Sequence, residues 1–216
     1  MTTTELHAIW TEHCQGIRVS PQVADKWWTT LVQKYTEVQR HYHTLDHIAD
    51  MFVLYDSWNQ RLMNSNAVAL AIFFHDVVYD PKSSCNEQDS IQMFRVFALE
   101  AELNADLVDA TIQLIDATIT HLSNVADDNR DLKFFLDFDM AVLGRPADGY
   151  RDYAGQIQRE YCHLDTETFN TKRAQVLQNF LTREHIFSTE EFTQLYEEQA
   201  RTNIAREITL LQSQST

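Results

Sequence analysis

Apolar residues recur at spacings of three and four along most of the chain. In "LDHIADMFVLYDSWNQRL", Leu45, Ile48, Met51, Phe52 and Tyr55 fall on one helical face, with Thr44 placed to cap its start. "SPQVADKWWTTLVQKY" opens with Ser20 before Pro21, an N-cap followed by proline in the first turn. Asn64 or Asn66 can cap a helix running from Ala67 to about Val78, and further helical patterns cover 86–101, 105–121, 129–143, 147–163, 167–184 and 189–213. Pro81, Asn104, "SNVADDN" at 123–129, "GRP" at 144–146 and "HLDTET" at 163–168 divide them. No segment alternates apolar and polar residues between hairpin turns. The single Asp-Gly pair, at 148–149, follows Pro146 between helical patterns and reads as a helix start. No period of 20–50 residues repeats. The pattern predicts one all-α domain over 1–216, a compact multi-helix fold without a linker rich in Pro, Gly or Ser.

One stretch breaks the amphipathic rule. "AVALAIFFHDVVYD" runs eight apolar residues into His75 and Asp76, and Val77 and Val78 resume the run. Burying an ionisable pair costs free energy unless its members are hydrogen-bonded, charge-paired or bound to a metal.

Composition narrows what that pair can be for. The chain has 216 residues, 44% of them apolar and 23% charged, in keeping with a soluble globular protein. No apolar run reaches the roughly 18 residues a membrane span requires, and "MTTTELHAIW" lacks the basic-then-apolar order of a signal peptide. Three cysteines at wide spacing (Cys14, Cys85, Cys162) form neither a disulfide framework nor a zinc-finger pattern, and a reducing cytoplasm is expected. A net charge of −15 repels phosphate backbones, so nucleic acid is not the expected partner. A small anionic substrate is still compatible, because a divalent cation reverses the local potential.

Nine histidines offer chemistry, three of them within "RHYHTLDHI" (His41, His43, His47). His43 and His47 have the i, i+4 spacing of a zinc-protease helix, but that mechanism needs Glu after the first His and Thr44 stands there. A di-iron bundle needs two Glu-x-x-His pairs, and the chain has one, Glu160 to His163. No Gly-x-Ser-x-Gly elbow or activated cysteine supports nucleophilic catalysis. What remains is a lone His, a His-Asp pair on a following helix, and an Asp on a later one (Asp137 or Asp139). Imidazole and carboxylate together suit Mn, Fe, Co, Ni or Zn, and a metal so held would stabilise the buried pair and activate water or a phosphoryl oxygen. Trp27 and Trp28 read as helix-packing core.

His47, "HD" at 75–76 and Asp139, with intervals of 28 and 63 residues, resemble the H…HD…D signature of the HD superfamily of metal-dependent phosphohydrolases. "YHTLDHI", "FFHDVVYD", "NEQDS", "DFDMAVLG", "YCHL" and "EEQARTNIAREI" extend the resemblance over about 38–208, to a mostly uncharacterised bacterial subgroup of single-domain HD proteins.

The resemblance implies one divalent ion (Mn, Fe, Co, Ni, Zn or Mg) held by His47, His75, Asp76 and Asp139, with a small phosphorylated substrate, for example a nucleotide, at its side. His47 is preferred to His43 because it lies well inside its helix and precedes "IADM". Asp139 is preferred to Asp137 because "MAVLG" follows it; the two lie about 200° apart on a helix, so the other is expected to cap or brace. Asp76 would take a proton from the attacking water, and His43 or His121 would stabilise the developing charge or protonate the leaving oxygen. Glu87 is a candidate to orient water, while Lys82 and Arg145 are the cations nearest in sequence to the ligands. Two other readings follow from the same residues: an HD-type di-iron oxygenase, and a non-enzymatic metal- or nucleotide-binding module. Arg201 and Asn203 match the subgroup's tail motif, where a core-capping or dimer-forming helix is expected. Amphipathic helices serve a core and a homodimer contact alike, so a homodimer is compatible with the sequence.

Overall fold

The structure, a computed structural model, describes residues 1–121 and 129–213. Most of "SNVADDN" lies outside them, with only Asn129 described. The described residues are all-helical, as the periodicity predicts: α1 (Thr3–Gly16), α2 (Pro21–Tyr35), α3 (Leu45–Trp58), α4 (Ser65–Phe74), α5 (Asn86–Glu100), α6 (Ala105–Ala117), α7 (Arg130–Met140), α8 (Ala147–Glu160), α9 (Thr166–Leu181) and α10 (Glu190–Ser213). Short 3₁₀ turns follow α3 and α7. No described helix is long and apolar enough to cross a membrane.

The caps are those the sequence implies. Ser20 accepts from the Val23 N–H with Pro21 at the helix start, Thr44 from Asp46, Asn64 from Ala67, and Asn104 from Leu107. Each side chain satisfies a backbone donor that the first turn leaves without an intrahelical partner. The periodicity misses α1, although Thr2 and Glu5 carry its signal: they form a reciprocal capping box. The Asp-Gly pair lies within the first turns of α8, not in a hairpin.

The chain divides into two compact units, Met1–Phe135 and Leu136–Thr216, with the division inside α7. In the first, α4 is buried on all sides from Ala67 to Phe74 and packs against α3, α5 and α6. An all-round apolar helix is a core helix. Around it lie Trp10, Trp27, Phe52, Phe94 and Phe97, with Trp10 edge-on to Phe73 at 5.1 Å and Phe74 stacked on Phe97 at 5.1 Å. Trp27 is core, as expected, and its indole N–H donates to Glu100; Trp28 is half-buried and stacks on His7. Asp131 at the start of α7 accepts the Met63 and Asn64 N–H groups at 2.7 Å each and so pins the entry to α4.

In the second unit α10 packs along α9 and over residues 141–144. Gly144 is required there, since a Cβ would stand 2.6 Å from the Tyr196 Cβ and 3.0 Å from its carbonyl oxygen. Asn203 donates to the Leu143 and Arg145 carbonyls, and Arg201 to those of Leu181, Arg183 and Glu184. The tail-motif pair therefore ties α10 to turns of its own unit, the core-capping role among those expected of it.

Candidate metal centre

The His-Asp pair sits at a helix end. The apolar run suggests a helix to about Val78, but α4 stops at Phe74, with His75 as its C-cap donating its N–H to the Ala71 carbonyl. His75 keeps helical backbone angles, φ −60° and ψ −40°, and its ring nonetheless reaches the Asp76 carboxylate. His75 turns inward and is 1% exposed, whereas the Asp76 side chain is 20% exposed and faces it.

Three imidazoles converge on one carboxylate oxygen. Asp76 Oδ2 lies 3.1 Å from His75 Nε2, 3.8 Å from His47 Nε2 and 4.0 Å from His43 Nε2. His47 occupies the first turn of α3, and its Nε2 is 3.2 Å from His75 Nε2. His43 precedes the Thr44 cap and lies outside the helix, so no i, i+4 helical pair exists; it stacks instead on Tyr79 with ring centroids 4.2 Å apart. Tyr42 packs against both His43 and His47.

The donor chemistry of this cluster fits a cation. His75 Nδ1 lies 3.0 Å from the Ile72 carbonyl, which only accepts, so Nδ1 carries a proton and the neutral ring presents a lone pair at Nε2. That lone pair faces a second imidazole nitrogen and a carboxylate oxygen. Such groups repel unless a proton or a metal ion lies among them. Metal–nitrogen bonds of about 2.0–2.1 Å place neighbouring ligand atoms roughly 3.0–3.4 Å apart, and the 3.2 and 3.1 Å separations fall in that range. A backbone carbonyl holding the far ring nitrogen is the usual way a ligating histidine is oriented.

On α7, Phe135 meets the His75 ring edge-on at 5.8 Å, and Asp139 follows one turn later on the same face. Asp137, on the other side of the helix, takes the bracing role. It accepts from the Ser188 N–H, the Thr189 N–H and the Thr189 hydroxyl at 2.6–2.8 Å and so seats the start of α10. Burial pushes its carboxyl up to about 7 against the lowering pull of those donors.

The remaining candidates lie on other segments of the chain. Glu87 is half-buried in the first turn of α5, and its neighbour Asn86 closes the 80–86 loop by bonds to the Asp80 N–H and carbonyl. Lys82 is exposed on that loop, its backbone N–H donating to Asp80. His121 is half-buried with φ of 48° after α6, which ends at Ala117 rather than at 121. Arg145 is half-buried beyond the 141–144 turn. Cys14 is buried with its thiol pushed up to about 12, which leaves no nucleophile there. A cavity of about 760 Å³ in the first unit, among Arg18, Asn64, Glu102 and Asn104, includes none of the site residues.

One residue escapes the sequence reading. Arg40 is buried, and its guanidinium donates to the carbonyls of His43, Asp76 and Val77. Its signal was only its place three residues before His43; nothing local marks an arginine that bonds a turn 36 residues away. Neither a family model, a curated protein nor a solved structure matches the chain.

Proposed function

We propose that this protein is a metal-dependent hydrolase of the HD type acting on a small phosphate ester, for example a nucleotide. The observation that carries the reading is the convergence of three imidazole nitrogens on Asp76 Oδ2 within 4.0 Å. The H…HD…D resemblance supplies the reaction class. His47, His75, Asp76 and Asp139 would hold the ion. A divalent ion there supplies Lewis-acid polarisation of a phosphoryl oxygen and a water of lowered pKa.

The graded exposure of the cluster supports distinct roles for the protein's own groups. His47 and His75 are dry, with side chains 2% and 1% exposed, whereas Asp76 and His43 reach solvent at 20% and 19%. Dry imidazoles keep their lone pairs for coordination. The wetter pair exchanges protons. Asp76 takes a proton from water as its oxygen bonds to phosphorus, and the P–O bond to the alcohol breaks. His43, beside Asp76, protonates the leaving oxygen; it fits this role better than His121 because it shares the carboxylate. The products are an alcohol and inorganic phosphate or pyrophosphate. Glu87, Lys82 and Arg145 are second-order candidates for water and phosphate contacts.

Elemental analysis of the protein purified without added metal or chelator tests the reading. About one equivalent of Mn, Fe, Co, Ni, Zn or Mg per chain is expected, with phosphate-ester hydrolysis that His75→Ala with Asp76→Ala abolishes. Two irons and a redox-dependent colour would replace it with the oxygenase reading. Stoichiometric ligand binding without turnover would replace it with the binding-module reading.

A further inference from the structure

We infer that Arg40 is a positioning residue of this centre: its guanidinium locks the loop carrying His43 to the turn carrying Asp76, and so sets the geometry in which a divalent cation is held. The inference rests on the metal-site reading above and adds to it a residue that touches neither ion nor substrate.

α4 ends at Phe74, and the turn beyond it presents the Asp76 and Val77 carbonyls to Arg40. Its Nη1 donates to the Asp76 carbonyl at 2.7 Å and the His43 carbonyl at 3.0 Å, and its Nη2 to the Val77 carbonyl at 3.0 Å. A single planar group thus spans residues 43 and 76–77, the backbone at both ends of the His43–Asp76 contact. Its faces are held too, by the Tyr35 ring at 4.9 Å and the Tyr79 ring at 5.4 Å. Tyr79 in turn stacks on His43, and its carbonyl accepts from Gln39.

Charge balance makes the device compatible with a neighbouring cation. Arg40 Nε is 3.3 Å from Glu37 Oε2, so the buried guanidinium is paired within its own loop. Glu37 is itself fixed by Lys34 and Gln39. The side chain of Arg40 is fully buried, which removes a role in binding substrate directly. Lysine cannot replace it: an ammonium is a point charge without the planar fork that reaches diverging carbonyls or the flat face that stacks between two tyrosines.

Cobalt(II) is the probe, because its visible absorption reports coordination geometry independently of any turnover. Arg40→Lys is expected to fold with wild-type far-UV circular dichroism, to bind Co(II) about 10- to 100-fold more weakly, the usual cost of losing a group that orients ligands, and to show an altered Co(II) band. In Arg40→Ala, millimolar guanidinium, well below denaturing concentrations, should restore affinity and band toward wild type where equal urea does not. Wild-type affinity and band in Arg40→Lys would overturn the inference, as would an Arg40→Lys chain that fails to fold, since the residue would then serve the fold alone. If Arg40→Ala does not fold, Arg40→Lys decides. A wild-type protein that takes up no Co(II) overturns the metal reading itself, and the Arg40 inference falls with it; a wild type that binds while Arg40→Lys is unchanged overturns only Arg40.

Discussion

Each unit of the chain buries a polar cluster, and the two clusters are built on opposite principles. In the second unit Glu207 accepts from the Tyr150 hydroxyl and from Arg173 Nε and Nη2, with the Arg173 guanidinium 5.3 Å from the Tyr153 ring. Each of these hydrogen bonds joins a donor to an acceptor. Burial pushes the Tyr150 hydroxyl up, and Glu207's charge adds to it. Burial works against the Arg173 charge, but Tyr153 and Glu207 more than offset it and hold the guanidinium above its ordinary value. In the first unit His75 Nε2 lies 3.2 Å from His47 Nε2 and 3.1 Å from Asp76 Oδ2. The first arrangement pairs a carboxylate with a guanidinium and a hydroxyl. The second gathers imidazoles and a carboxylate, the donor set that suits a metal cation. Burial of charge by itself therefore does not mark a candidate site; the kind of donors gathered does.

The comparison can be broken most sharply at the metal. His75→Ala with Asp76→Ala should weaken uptake of a divalent ion by more than about 100-fold, beyond what loss of an orienting group costs, whereas Glu207→Ala should leave uptake unchanged by equilibrium dialysis. A Glu207 variant that also loses metal would mean the two clusters are not independent.

Stability should respond in the reverse order. Glu207→Ala strands Arg173 and Tyr150 and is expected to cost about 3–5 kcal/mol in urea unfolding. The same measurement on metal-free His47→Leu should show a much smaller loss, because an apolar side chain of similar volume removes a repulsive contact. A large loss in that variant would show that the metal-free cluster already stabilises the fold.

Two smaller effects sharpen the backbone side of the comparison. Gly144→Ala drives a methyl against the Tyr196 Cβ and ring and should cost about 1–3 kcal/mol, the usual range for overpacking. Glu102→Gly should raise stability by about 1 kcal/mol. Glu102 has φ of 52° just past α5, and the Leu103 N–H reaches back to the Ala98 carbonyl, so a left-handed closing residue is required where glycine is preferred. Thermal unfolding checks both.

Much of this molecule was legible in one dimension. The 3.6-residue periodicity gives nearly all the helices because each must bury one face, and the caps Ser20, Thr44, Asn64 and Asn104 are local chemistry that needs no distant partner. The misplaced end of α4 has an equally physical cause. Val77 is buried, so the apolar pattern continues past Phe74, but burial is a tertiary fact and does not require helix. Whether His43 stands inside or outside α3 follows from Thr44 and could be read locally.

The site divides along the same line. The types of ligand, imidazole and carboxylate, and their order along the chain are properties of sequence, and so is the −15 charge that makes a bound cation the natural companion of an anionic substrate. Which of two aspartates faces the histidines was not decidable from order alone, because Asp137 and Asp139 share a helix and differ only in direction. The structure separates them: Asp137 spends its oxygens on the start of α10, and Asp139 lies on the other side of the helix, one turn after Phe135. Arg40 shows the same limit more fully. Its three acceptors are backbone carbonyls, which every residue possesses, so no side-chain pattern could announce them. Sequence determined the helices and the inventory of donors; only packing decided which donors meet, because a meeting depends on where the backbone is brought and not on what the residues are.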